Sequence, residues 1–249
     1  MSDYQSLRAG LEQIVSCKLF VEDVLFIALG LKPVLLLSPK HRVSDRQVRR
    51  VTEFVRELSV RCISLDGFTT CLMNVDIVSA KLSALESISD LSKAHGLVCP
   101  RVVDVRRALN SPQPVSSDDR VELFQSVKAH IKSLLAGEPV DVDPSVACVT
   151  AGWLLDYPSL YFPSFDGNCL SEVPLRLYRC YTTSNGRTDT IICSFSTPSD
   201  GSGTEDEDEA VMEEYWNQFR YRVEKKNLQM IFPKQHHTIS EVRLSHVAL

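Results

Sequence analysis

No Cys-x-x-Cys pair occurs in this chain of 249 residues, although it holds eight cysteines. Cys17, Cys62, Cys71, Cys99, Cys148, Cys169, Cys180 and Cys193 stand apart, most of them inside apolar runs. The pattern excludes the usual zinc and dithiol spacings. It points instead to reduced, buried, intracellular thiols that behave as small hydrophobes. Glycine-rich phosphate loops are missing too, with no Walker sequence and no dinucleotide fingerprint, and there is no nucleophile elbow. Long hydrophobic runs are scarce. The most apolar stretch, residues 19–37, is interrupted by Glu22, Asp23, Lys32 and Pro33 and is too broken to span a bilayer. The N-terminal MSDYQSLRAGLEQ is polar and amphipathic, without a signal-peptide pattern, so a cytoplasmic or nuclear protein is expected.

A basic excess is also lacking. The formal charge is −5, and Asp200, Glu205, Asp206, Glu207, Asp208, Glu209, Glu213 and Glu214 carry −8 with no Lys or Arg between them, leaving +3 for the rest. A nearly neutral body with one acidic appendage is not the balance of a nucleic-acid binder. A chain this long buries roughly three quarters of its unfolded surface, so no disulfide, metal or cofactor is needed to hold it together.

What is present reads as a mixed α+β domain over residues 1–249. In the N-terminal half, short strands alternate with helices. Tyr4, Leu7, Leu11, Ile14 and Val15 form one stripe at helical spacing, and Phe20–Leu29 predicts a buried helix ended by Gly30. Pro33–Leu37 and Cys62–Leu65 suit short covered strands, with a Ser44–Gln47 capping box opening the helix between them. Strand, helix and strand then make a minimal parallel unit. A helix is expected near 79–94 and a strand within 97–105. Ser117 predicts the cap of a helix over 118–136, and Asp143-Pro144 starts another to about Leu155.

The stretch Gly152–Tyr181 is the seam between this half and a C-terminal half built on an antiparallel hairpin with a packed helix. Asn185-Gly186 suits a two-residue type I′ turn. That register pairs Tyr178 with Cys193 and Cys180 with Ile191, and puts Ile191 on the core face. Residues 198–209 contain no apolar side chain and read as a flexible acidic insertion, a candidate docking segment for a protein partner. A helix near 209–224 with Met212, Trp216, Phe219 and Val223 as its stripe follows, then strands over 229–232 and 238–247.

The seam also carries a resemblance. Leu154, Leu155, Tyr157, Pro158, Tyr161, Asn168, Cys169, Leu170, Ser171 and Pro174, together with Gly30–Leu37, are similar to an uncharacterised animal family. That family is a domain of unknown function, named in humans after a chromosome 1 open reading frame. The resemblance implies coverage of nearly the whole chain and brings no activity, cofactor or catalytic residue.

The candidate chemistry is thin. Cys169 follows a turn at Asp166-Gly167-Asn168, and His236-His237 lie downstream. Thiolate and imidazole are the minimum for covalent catalysis, but a buried cysteine after an Asn turn is the simpler reading. Asp66 ends a strand, with Asp76 ten residues on; a divalent ion or phosphate could sit there, while Asp66-Gly67 is also a common turn pair. The basic run Lys40, His41, Arg42, Arg46, Arg49 and Arg50 reads as a solvated helix face, since no glycine loop accompanies it to cradle an anion. Trp153, Tyr157, Tyr161, Phe162 and Phe165 read as packing. A non-catalytic interaction or scaffolding protein is the leading expectation. A divergent hydrolase with a site near Asp66 and the Asn168–Cys169 turn is the rival.

Overall fold

The computed structural model describes residues 2–67, 69–91, 96–109, 111–138, 141–164, 168–183, 189–199 and 205–243. Helical stripes and caps place most helices where the sequence puts them. Helix α1 (Ser2–Ile14) buries Tyr4 and Leu11, and α2 (Lys18–Ala28) is buried on nearly all sides, with Gly30 just beyond it at φ 72°. The capping box forms as expected at the start of α3 (Asp45–Phe54): Ser44 Oγ accepts from the Gln47 N–H, and Gln47 Oε1 from the Ser44 N–H. Helix α4 (Val75–Glu86) lies earlier than the expected 79–94 because Asn74 caps it, accepting from the Ile77 N–H at 3.1 Å. Ser116, not Ser117, caps α5 (Ser117–Ala136). Asp143 caps α6 (Pro144–Leu154), accepting from the Ser145 N–H at 2.8 Å.

Two short strands were joined too simply by the sequence. β1 (Val34–Leu36) and β2 (Val60–Ser64) do not form a parallel unit, because β3 (Thr70–Asn74) lies between them and pairs antiparallel with both. The cause is local. Asp66 accepts from the Thr69 N–H at 2.6 Å and its hydroxyl at 2.9 Å, and Gly67 takes φ 85°, which folds β2 back as a hairpin. Successive side chains of β3 then point into opposite cores. Leu72 faces the cluster built by α1, α2 and α3, and Cys71 and Met73 face that of α4, α5 and α6.

A second sheet has the order β5 (Gln113–Pro114), β4 (Arg101–Asp104), β6 (Ser159–Phe162), with β4 and β6 parallel. β6 lies inside the seam. Gly152 of α6 faces it, and a Cβ there would come within 2.8 Å of Leu160 Cδ2, so glycine lets helix and strand approach.

The third sheet is β7 (Pro174–Thr183) between β8 (Asp189–Pro198) and β9 (Lys234–Arg243), all antiparallel. The hairpin exists, but its register is not that of a two-residue loop. Tyr178 pairs with Phe195 and Cys180 with Cys193, whereas Tyr181 pairs with Ile191, with an irregularity between Cys180 and Tyr181. The extra residue, Ile192, turns into the core at 1% exposure, and Ile191 turns out at 48%. Asn185-Gly186 itself lies outside the described residues.

Helix α7 (Glu205–Lys225) packs Met212, Tyr215, Trp216, Phe219 and Val223 onto this sheet. It starts earlier than expected and takes in residues 205–209 of the run read as a flexible insertion; residues 200–204 lie outside the described set. Residues 229–232 do not form a strand. The Ile231 and Phe232 N–H groups both bond back to the Leu228 carbonyl, and Phe232 lies 5.5 Å from Phe26, ring to ring. One hydrophobic cluster therefore runs from Tyr4 to Phe232. The architecture is α+β, as the sequence implies.

Candidate functional site

A cavity of about 730 Å³ opens between α4, α7 and the turn before β2. Lys81 and Arg222 line its floor, and the Asp156 carboxylate behind them joins both in a buried charge cluster drawn from three distant parts of the chain. Lys81 Nζ donates to Asp156 Oδ1 at 2.5 Å and to the Trp153 carbonyl at 2.6 Å, and it sits 4.2 Å over the Trp153 ring. On the other side of the same carboxylate, an Arg222 guanidinium nitrogen donates to Oδ2 at 2.7 Å and to the Leu31 carbonyl at 3.1 Å. Asp156 and Lys81 are 4% and 8% exposed.

Local structure explains how each arrives there. Lys81 occupies the i+3 place of the stripe Val78, Lys81, Leu82, Leu85 on α4, all four buried. Asp156 follows the end of α6 with φ 60°, a left-handed conformation in which Asp is among the better-tolerated residues. Arg222 lies between the buried face of α7 and the cavity.

The charges are mutually tuned. Burial pushes the Asp156 carboxyl up, but Arg222 and Lys81 overcome it and hold it below the usual carboxylate range. Burial also brings Lys81 below its ordinary value, with Asp156 opposing. For Arg222 burial again lowers, and Asp156 more than offsets it. An amine with acceptors on two sides and an aromatic face on a third is a held cation, not a free nucleophile. The reachable groups are on the rim: Leu58 and Tyr221, 39% and 61% exposed, beside Lys225 and Lys226, with Glu57 and Asp76.

The residues singled out from sequence fall elsewhere, Asp76 excepted. Asp66 is engaged in its own hairpin turn. The Cys169 N–H donates to the Val105 carbonyl and the Leu170 N–H to Asn168 Oδ1, which pins this turn against the end of β4. Leu65, next to Asp66, belongs to the α4–α5–α6 core, whereas Cys169 packs on Val103, Val105 and Leu170. The two candidates thus sit on different sheets. Asp166 and Gly167 lie outside the described residues, as does Phe165.

The histidines do not approach Cys169. Val242 of β9 packs into its cluster, and His237 and His236 lie five and six residues back along that strand, roughly 17–20 Å at the strand rise. The His237 ring accepts from Trp216 Nε1 at 3.1 Å, and His236 stacks on Tyr181. Among the described residues, no group of three or more metal-binding side chains occurs.

One member of the basic run is not solvated. His41 is fully buried in a 3-10 turn over Pro39–His41, while Lys40, Arg42, Arg46, Arg49 and Arg50 are exposed. Its Nε2 lies 3.3 Å from Asp23 Oδ2, and its Nδ1 lies 3.3 Å from Ser38 Oγ, which outwardly copies a Ser-His-Asp arrangement. However, Nδ1 already accepts the Ser38 backbone N–H at 3.0 Å. An imidazole nitrogen has one lone pair, so the serine hydroxyl has no free base, and the group closes the turn. His130 is similarly engaged: Nε2 donates to the Leu65 carbonyl at 2.8 Å and Nδ1 accepts from Thr150 at 3.1 Å.

The aromatics of the seam pack, as expected. Trp153 Nε1 donates to the Val98 carbonyl, the Tyr161 hydroxyl donates to the Ser196 carbonyl, and Tyr157 lies against Phe195. No sequence motif marks Lys81, Asp156 and Arg222. The one available signal was a lysine inside an apolar helical stripe.

Residues 5–249 match the family described as a domain of unknown function, DUF4504, and the chain belongs to it. Among curated proteins and solved structures none matches. Among the described residues, no helix is long and apolar enough to cross a membrane.

Proposed function

We propose that this member of the family is a non-catalytic interaction or scaffolding protein, cytoplasmic or nuclear, that receives a protein partner at the α4–α7 cleft. One observation carries the reading. The charged groups of the floor are engaged by the protein's own acceptors, while the rim offers an apolar and an aromatic side chain flanked by charges of both signs. An exposed aromatic side chain with a polar surround is the composition of a binding surface. The acidic run around 205–209 is a second contact within the same proposal, suited to a basic segment of the partner. The animal branch of the family, named in humans after a chromosome 1 open reading frame, is proposed on the seam residues from Leu154 to Pro174. The hydrolase reading would need Asp66, Asn168 and Cys169 to converge, and the hydrogen bonds described above belong to separate turns.

The test is affinity capture, identification of the partner, and a calorimetric Kd. The Leu58→Glu, Tyr221→Ala pair should weaken binding at least tenfold, about 1.4 kcal/mol, with an unchanged melt because both side chains are exposed. Neutralising Glu205, Asp206, Glu207, Asp208 and Glu209 forms the second arm. Loss in that arm alone moves the contact to the acidic run and overturns the cleft. Unchanged affinity in both, or no reproducible partner, overturns the interaction reading.

A further inference from the structure

We infer that Cys180 and Cys193 form a site of reversible oxidation, closing a cross-strand disulfide between β7 and β8. Among the strand pairs of the described residues, theirs is the one position at which two cysteines oppose each other. Directly opposed residues of antiparallel strands have Cα atoms about 4.5–5.5 Å apart, inside the range of about 4.4–6.8 Å that a disulfide spans. Both side chains point to the α7 face, where Cys180 is fully buried and Cys193 half-buried.

The thiols are already in contact, and they differ in character. The Cys180 thiol donates to the Cys193 sulfur, and the Tyr215 hydroxyl of α7 donates to the same sulfur. Burial pushes the Cys193 thiol up, but these two donors, with Lys32 nearby, bring it below its ordinary value. Cys180 is held protonated, chiefly by its bond to Cys193. This is the asymmetry of an attacking thiolate beside a resolving thiol. The irregularity next to Cys180 is where the ladder is locally broken, so a small reagent meets less backbone order there than within the regular ladder.

Hydrogen peroxide, small and uncharged, is the oxidant class that suits a sulfur turned toward the α7 face on a half-buried residue. The Cys193 thiolate attacks one peroxide oxygen and the O–O bond breaks. With one proton taken up, this leaves a sulfenic acid and one water. The Cys180 sulfur then displaces that hydroxyl, its proton leaves with it as a second water, and the S–S bond forms. Two electrons pass from the two sulfurs to the peroxide. Closure removes the thiol–thiol contact and takes the thiolate away from Tyr215, a residue whose helix also carries Arg222 to the cleft floor.

The experiment is peroxide treatment of the reduced full chain, alkylation of the remaining thiols, and tryptic mapping. Cleavage after Arg179, Arg187 and Arg220 separates the two cysteines, so the disulfide joins peptides 180–187 and 188–220. The expected result is a monomer that has lost two of its eight thiols, yields that linked pair, and recovers both thiols on reduction with dithiothreitol. Cys180→Ala should instead accumulate a sulfenic acid at Cys193 that dimedone traps. Retention of all eight thiols overturns the inference, as does a disulfide joining any other pair, or dimedone adducts spread evenly over the cysteines. Mapping on the unsubstituted chain keeps it falsifiable if the variant does not fold.

Discussion

Replacing Asp156 by asparagine isolates the electrostatic tie under the cleft. Asparagine also tolerates the left-handed backbone found at this position, φ 60°, so the exchange removes charge while keeping shape and one oxygen acceptor. It leaves two cations facing each other. Lys81 keeps the Trp153 carbonyl and ring, and Arg222 keeps the Leu31 carbonyl, but neither has a counter-charge among these contacts. Breaking a buried pair by removing one partner costs about 3–5 kcal/mol. For a chain of this size each kcal/mol is about 2–4 °C of melting temperature, so the midpoint should fall by roughly 6–20 °C.

The pH dependence gives a second handle on the same variant. In the unsubstituted protein Asp156 is held below its ordinary value of 3.8, so its contribution is present above that value and is lost only as pH falls through the lower folded value. Lys81 is lowered from 10.5, so the folded state binds fewer protons than the unfolded one between its folded value and 10.5, and stability rises with pH through that window. Removing Asp156 removes the charge that was raising Lys81 and extends the window downward. The deficit of Asp156→Asn should therefore shrink as pH is raised toward 10. Urea melts followed by tryptophan fluorescence at several pH values measure both quantities. Lys81→Met added to Asp156→Asn should restore part of the loss, because it removes a stranded cation. A loss below about 1 kcal/mol, the value of an exposed pair, would refute the reasoning, and so would a deficit independent of pH.

Three further outcomes follow from the packing. Ile192→Asp should cost about 3 kcal/mol or more by burying an unpaired carboxylate, while Ile191→Asp stays within about 0.5 kcal/mol; equal or reversed costs in a denaturant melt would show that the bulge is misplaced. Burial brings His130 below its ordinary 6.5, so its folded form resists protonation and stability should fall as pH drops from 6.5 through the lower folded value. His130→Asn should be less stable at pH 7.5 yet flatter across that window, and an unchanged slope speaks against the buried neutral imidazole. Brief iodoacetamide treatment should label exposed Cys62 ahead of buried Cys71, Cys99 and Cys180, as mass mapping would show; if Cys169 reacts first, the nucleophile reading returns.

Local signals were legible where a few neighbouring residues decide the conformation. The Ser44–Gln47 box, the Asp143-Pro144 start, the Gly137 stop and the α7 stripe act within one helical turn, and each is found as expected. β3 and β6 were missed because TCLMN and SLYF are short apolar runs with no period that separates strand from helix. The hairpin was right in kind and wrong in phase. A single inserted residue exchanges the faces of everything beyond it, and the sequence around Ile191 and Ile192 is apolar at both positions. The site was the least legible part. Cys169 and Asp66 were conspicuous for their chemistry, whereas the charge cluster at the cleft floor is assembled from Lys81, Asp156 and Arg222, residues 75 and 66 positions apart.

The sequence by itself determined the composition class, the helical inventory and the α+β architecture. Those properties follow from side-chain period, capping and turn chemistry, all of which operate over a handful of residues. Tertiary structure alone decided the order β1–β3–β2, the bulged register, and the burial of His41 against Asp23. It also decided the convergence of two cations on Asp156. Each of these depends on which distant surfaces exclude water together, and a charge becomes costly or useful only once that exclusion has occurred.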